Sequence, residues 1–311
     1  MKNELHFHSQ DAMDTSYAIE APALISGFRC QLREYYTLTK PEVNLLILMS
    51  TSAGYYLASQ GPFRLLRFVA TLLGTLLMAS GTATLNQFME RAHDAKMRRT
   101  ANRPAASGRL GPRAVFWFGS LLSVAGGAYL ALVVNSLTAL LALSTLLSYL
   151  LIYTPLKRKT SLCTLLGAFP GAMPVLIGWA GASGSFGWNA WFLFAILFLW
   201  QFPHFLAIAL MYREDYERAG FHMLPGFDRD GRFTRAEILT LTMVLLVVTL
   251  LPQYSRGSVG YLICMLAAGG FFLYHSLRLA QTSDRKLAGR VLHASVVYLP
   301  MILVIMVIWK P

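Results

Sequence analysis

The chain has 311 residues, 55% of them hydrophobic and only 14% charged, with 27 Lys and Arg against 15 Asp and Glu for a net charge of +12. Soluble domains carry roughly a quarter charged residues, so this composition excludes a soluble enzyme and a disordered chain. Three cysteines, Cys30, Cys163 and Cys264, form no CxxC pair and exclude a disulfide scaffold or a zinc site.

Residues 1–35 contain no apolar run and carry Glu4, Asp11, Asp14 and Glu20, which argues against a cleaved signal or a mitochondrial transit peptide. They read as a flexible cytoplasmic arm. From residue 36 to 311 the chain reads as one membrane domain. Nine stretches lack any Lys, Arg, Asp or Glu: 43–59, 68–89, 114–133, 137–153, 162–182, 189–211, 238–254, 259–277 and 291–309. Each is near the roughly 20 residues that cross a hydrocarbon core as a helix. The spacing predicts an all-α, polytopic bundle with membrane helices near 41–59, 65–90, 113–133, 137–153, 162–182, 188–212, 236–254, 258–278 and 290–309. Breaks are expected at Gly61-Pro62, Gly111-Pro112, Asn135-Ser136, Pro155, the Gly/Ser run 181–187, Pro225-Gly226 and Pro252.

Assigning the links alternately to two sides places 23 of the 27 basic residues on one of them, leaving Arg64, Arg67, Arg256 and Lys310 opposite. By the positive-inside rule that side is cytoplasmic, with the N-terminus there and the C-terminus on the outer, periplasmic side of a bacterial inner membrane. The bases are divided among loops without a recognisable binding module, so nucleic acid is excluded as a partner and the lipid bilayer takes its place. The long links, 90–113 and 212–237, fall on the cytoplasmic side, and chemistry is expected there.

The first long link opens with NQFMERAHD, in which Asn86, Glu90 and Asp94 recur every four residues and stack on one helix face. Oxygen ligands of this kind suit Mg2+, which is commonly held by one or two carboxylates together with substrate phosphates. Lys96, Arg98, Arg99 and Arg103 follow directly and supply phosphate-binding cations. The combination describes a diphosphate site. In the second long link, Glu214 and Asp215 emerge on the same side, and Asp215 is a candidate fourth metal ligand. Between them YTPLKRK places Tyr153, Lys157 and Arg158 near an anion at the cavity mouth, although an aromatic belt followed by basic anchors has the same pattern. His204, in WQFPHF, lies deep within a membrane segment, where an ionisable group is a functional candidate or a hydrogen-bonded interhelical contact beside a proline.

These residues resemble the UbiA superfamily of intramembrane prenyltransferases, and within it the branch that farnesylates heme. LTKPEVNLL (38–46), NQFMERAHDAKMRRTANRPAASGRL (86–110), YTPLKRKT (153–160), GAFPGAMPVLIGW (167–179), WQFPHF (200–205) and DYERAGFHMLP (215–225) resemble its motifs in the same order. Two departures stand out: Glu42 where a basic residue is more usual, and Tyr212 and Tyr216 at the outer aspartates of the superfamily's second acidic motif. The resemblance implies a nine-helix bundle with a cavity facing the cytoplasm. It implies transfer of the farnesyl group of farnesyl diphosphate to a vinyl group of heme B, with addition of water, giving heme O and diphosphate. Under it, Asn86, Glu90, Asp94, Lys157 and Asp215 are the catalytic residues, with Asn86, Glu90, Asp94 and Asp215 holding Mg2+. Lys96, Arg99, Arg103, Tyr153, Lys157 and Arg158 bind diphosphate, His204 and Arg213 contact heme, and Arg218 is a second candidate for the propionates. Downstream heme-modifying or oxidase assembly proteins are the implied partners. The competing readings are a UbiA-type prenyltransferase with an aromatic or quinone-precursor acceptor, and a transporter, which would place its ionisable groups near mid-membrane.

Overall fold

A computed structural model describes residues 31–251, 258–282 and 284–310. Most of the expected N-terminal arm, with Lys2, Arg29 and Cys30, and the break at Pro252 with Arg256 lie outside the described residues. The described residues form helices without strands. After a helical stretch over 31–38 come α1 (Pro41–Ala58), α2 (Leu65–Asp94), α3 (Pro112–Val134), α4 (Ser136–Leu156), α5 (Cys163–Ser183) and α6 (Trp188–Met211). A short α7 (Arg213–Ala219) precedes α8 (Arg232–Leu250), α9 (Val259–Gln281) and α10 (Arg285–Ile308).

Eight of these, α2 to α6 and α8 to α10, are long and apolar enough to cross a membrane. The chain is therefore a multi-pass membrane protein. The expected ninth span, α1, is the exception, because its 18 residues begin with Pro41, Glu42 and Asn44 and fall short in hydropathy. Glu42 is exposed, while Asn44, Ser50 and Thr51 are buried, and Asn44 donates to Thr39 O and Ser80 Oγ, each at 2.9 Å. Small residues then let α1 lie against α5. A methyl added at Gly178 would overlap the backbone of Thr51, and one at Gly54 that of Val175. Close backbone approach of this kind supplies van der Waals packing where lipid gives no hydrophobic drive between helices. Helix α1 is thus held by helix contacts, and it also packs on α2 and α10.

Sequence punctuation sets the helix ends. Pro112 opens α3, where its missing N–H is no loss. Asn135 accepts from Thr138 N at 2.8 Å to cap α4, while its amide donates to Ala180 O. Gly184, at φ 71°, closes α5 in the left-handed conformation. Helix α8 begins at Arg232, four residues before the expected 236, because Asp228 accepts from the free Phe233 and Thr234 amides of its first turn. Burial alone would raise the Asp228 carboxyl, but these bonds and the Thr234 hydroxyl hold it below its ordinary value. Asp228→Ala is expected to cost about 1–2 kcal/mol of stability, seen as faster hydrogen exchange at the amides of Phe233 and Thr234.

Large apolar side chains line the outside, among them Trp117, Leu121, Val124 and Leu132 on α3 and Ile263 and Leu266 on α9. On a soluble protein such a surface would mark an interface; around this bundle it is the lipid-facing surface. The loops following α2, α4, α6 and α9 meet on one face. Arg99 N donates to Asp215 Oδ2, His222 N to Lys157 O, and the Arg285 guanidinium lies over the Tyr212 ring.

Candidate active site

Asn86, Glu90 and Asp94 are all buried, so the four-residue spacing on α2 turns its oxygen face into the protein rather than to lipid. Every rung carries a cation. Asn86 Oδ1 accepts from Lys40 Nζ at 3.3 Å, Glu90 Oε1 pairs with Lys157 Nζ at 2.9 Å, and Asp94 Oδ2 pairs with Arg103 Nη1 at 2.8 Å. Lys157 and Arg103 each engage a single carboxylate oxygen, Glu90 Oε1 and Asp94 Oδ2. Two carboxylates with an oxygen to spare and one amide oxygen form a hard donor set that fits a magnesium ion.

Each cation reaches its rung by a different local device. The chain after Asp94 turns back on itself: Thr100 Oγ1 donates to Asp94 O at 2.9 Å, Ala101 N to Met97 O at 2.8 Å, and Met97 and Thr100 are buried beneath the loop. That turn delivers Arg103 to Asp94. Arg103→Ala is expected to raise the KM for a diphosphate substrate about ten-fold or more, the worth of one charge-assisted bond. Steady-state kinetics with varied diphosphate checks this, and an unchanged KM removes Arg103 from the phosphate set.

Lys157 depends on a proline. Pro155 has no N–H, and the preceding residues Ser148–Tyr153 widen into π-helix before the last turn of α4. Thr154 then donates to Tyr149 O and accepts from Asn86 Nδ2 at 3.2 Å. Lys157 comes to lie 4.4 Å from the Tyr153 ring centroid and 6.0 Å from that of Tyr149. Tyr153 is seated against Gly167, where a Cβ would fall 2.6 Å from the ring.

Lys40 is the one non-glycine residue at positive φ among the described residues, φ 52° and ψ 64°. Pro41 disfavours the right-handed helical conformation for the residue before it, and Lys40 turns left-handed at the entry to α1. Desolvation of its ammonium and the nearby Arg103 and Lys157 pull Lys40 down to about 7, with Glu90 and Asp94 opposing the fall. A bound anion would restore its charge.

The second acidic end is held by loop contacts. Asp215 is buried, but its oxygens are taken by Arg99 N at 3.3 Å and Arg218 Nη1 at 3.1 Å. Among the described residues no three His, Cys, Asp or Glu side chains gather as metal ligands. Through the Arg99 bond Asp215 ties the second long loop to the first. The Tyr212 and Tyr216 rings hold Arg99 beside it: the guanidinium lies 5.1 Å from the Tyr212 centroid and donates to Tyr216 Oη.

Lys96 and Arg158 are exposed and their side chains make no contact with the ladder. Arg213 points its donors at its own loops, to Glu217 Oε1, Arg229 O and Asp228 O. His204 Nδ1 lies 2.8 Å from Ser295 Oγ on α10, with its ring stacked on Trp200 at 4.8 Å. Lys40 and Thr154 complete the constellation without having been singled out as site residues. For Lys40 the available signal was a lysine directly before a helix-opening proline, on the side where the ladder emerges.

Comparison with known proteins follows this geometry. Residues 47–297 match the UbiA prenyltransferase family. The chain belongs to the UbiA prenyltransferase family. Among UbiA relatives, a protoheme IX farnesyltransferase from Solibacter usitatus is 47% identical over 291 residues, covering 90% of this chain and 99% of that protein. One from Koribacter versatilis is 42% identical, covering 91% and 94%. The UbiA fold is seen in a digeranylgeranylglyceryl phosphate synthase structure, TM-score 0.71 at 16% identity over 89% of this chain and 98% of that one. It is seen again in a UbiA homolog from Archaeoglobus fulgidus bound to GPP and Mg2+, TM-score 0.58 at 13% identity, covering 88% and 99%.

Proposed function

We propose that this UbiA protein is a protoheme IX farnesyltransferase. It joins the farnesyl group of farnesyl diphosphate to a heme B vinyl group, with addition of water, to give heme O and diphosphate. The observation that carries the reading is the near full-length similarity to protoheme IX farnesyltransferases at 36–47% identity. The buried oxygen ladder ringed by Lys40, Arg103 and Lys157 is the site that supports it.

Asn86, Glu90 and Asp94 would hold Mg2+, which would neutralise charge on the departing diphosphate. Lys40, Arg103 and Lys157 bind the phosphate oxygens and stabilise the negative charge that develops as the allylic C–O bond breaks. The Tyr149 and Tyr153 rings, 5.0 Å apart beside Lys157, offer π-faces to the farnesyl cation. The loops drawn together by Arg99–Asp215 and His222–Lys157 keep bulk water from it until the vinyl carbon has attacked. Water then adds to the cation next to the porphyrin ring and loses a proton, so that vinyl, farnesyl diphosphate and water give a hydroxyethylfarnesyl chain, diphosphate and a proton. A farnesyl chain, at roughly 0.8 kcal/mol per buried methylene, explains a site inside a lipid-facing bundle.

The enzyme operates in a bacterial inner membrane with the loop-rich face cytoplasmic, and hands its product to downstream heme-modifying or oxidase assembly proteins. Mass spectrometry of heme extracted after incubating purified protein with heme B, farnesyl diphosphate and Mg2+ tests the reading. A gain of one farnesyl group plus one hydroxyl is expected, and unmodified heme B from folded protein overturns it.

A further inference from the structure

Beyond the Arg98–Arg99 turn that follows the oxygen ladder lies a cavity of about 820 Å3, bounded by the end of α6, the start of α8 and the α9–α10 turn. Leu279 and Ala288 give it an apolar part, and its charged lining sets seven arginines against Glu214, Asp215, Asp230 and Asp284. Arg235, on the first turn of α8, is 8% exposed. Its Nη1 donates to Asp230 O at 2.9 Å, while its buried Nε has no partner. Among the described residues no carboxylate pairs with it. Asp228 is committed to Thr234 and Phe233, Asp230 to Arg232, and Asp215 to Arg218. A buried cation without a counter-charge is strongly unfavourable, so the fold holds this guanidinium ready for an anion from outside. A second cation stands at the rim: Arg285 lies 5.7 Å from the Tyr212 centroid, on the ring that also carries Arg99.

Two guanidinium positions beside apolar side chains, at the loop-bearing end of a helical bundle, suit an amphiphile with two carboxylates better than a single compact head group. The diphosphate already has Lys40, Arg103 and Lys157 at the ladder. The volume is in the range of pockets that enclose a rigid organic ligand. Arg98 and Arg99 line this cavity and follow the ladder directly in sequence, so the two sites adjoin.

We infer that the Arg235–Arg285 pocket docks the propionate carboxylates of the porphyrin acceptor. This rests on the proposed heme farnesylation, and it assigns acceptor positioning to α8 and α10 and donor activation to α2 and α4.

The test uses the full-length protein in nanodiscs of neutral phosphatidylcholine, with heme B and its dimethyl ester as the two acceptors. Arg285→Gln, at an exposed position, is expected to raise the KM for heme B about ten- to hundred-fold, weaken heme B binding in an absorbance titration, and leave the KM for farnesyl diphosphate unchanged. The diester is expected to be a poor acceptor for the unmodified enzyme and to lose little further in the variant. Arg235→Lys should retain more heme B affinity than Arg235→Gln; if the Gln variant does not fold, Arg285→Gln carries the test. An unchanged KM for heme B, or a diester as good as heme B, overturns the assignment. A rise in KM for farnesyl diphosphate instead makes the pocket a donor subsite, and an effect that appears only with anionic lipid makes it a headgroup site; either result also overturns it. If the unmodified protein makes no heme O, the proposed function fails first; heme O production with unaffected variants sinks the pocket alone.

Discussion

Asp94→Asn is expected to leave the protein folded and membrane-inserted while lowering heme O formation by about two to three orders of magnitude at saturating farnesyl diphosphate, the usual loss when a charge-stabilising group is removed from a water-excluded site. Asparagine keeps the shape of the side chain, and its Oδ1 can still accept from Arg103, so the turn that covers the end of α2 stays in place. What disappears is one negative charge and the spare carboxylate oxygen. Product quantified by mass spectrometry alongside a thermal melt separates the two quantities. A normal rate from stable protein would remove Asp94 from the metal set.

Lys157→Met is expected to have two effects that can be separated. It leaves Glu90 as an uncompensated buried carboxylate, and breaking a buried pair in this way costs about 3–5 kcal/mol of stability. It also removes one of three cations around the diphosphate. Adding Glu90→Gln should recover most of the lost stability, because the unpaired charge is gone, yet the double variant should remain inactive. Recovery of activity together with stability would mean that the pair is structural and that Lys157 does not act on the diphosphate.

Much of this architecture is legible in the sequence because the bilayer imposes a length and a polarity on every span. The uncharged stretches therefore locate eight helices to within a few residues. The exception, α1, is informative: with Glu42 and Asn44 in its first turn it is stabilised by contact with α2, α5 and α10, which no one-dimensional pattern reports. At the site, the spacing of Asn86, Glu90 and Asp94 is legible because helical geometry alone aligns them. Their partners are not equally so. Arg103 lies nine residues from Asp94 and can be reached by local turns, whereas Lys157 is 67 residues from Glu90 and Lys40 is 46 from Asn86, so both pairings depend on how helices pack. The charge of Asp215 at a helix end is legible as well, whereas its bond from Arg99 N, 116 residues away in sequence, appears only in the folded chain.

The left-handed backbone at Lys40 sets stability against function at a single codon. A non-glycine residue held there is strained by about 1–2 kcal/mol, and glycine is the replacement that relaxes it. Glycine, however, carries no ammonium. A search for thermostable variants that scores folding alone will favour position 40 as a site for improvement and will select against the ammonium that donates to Asn86 in the proposed diphosphate site.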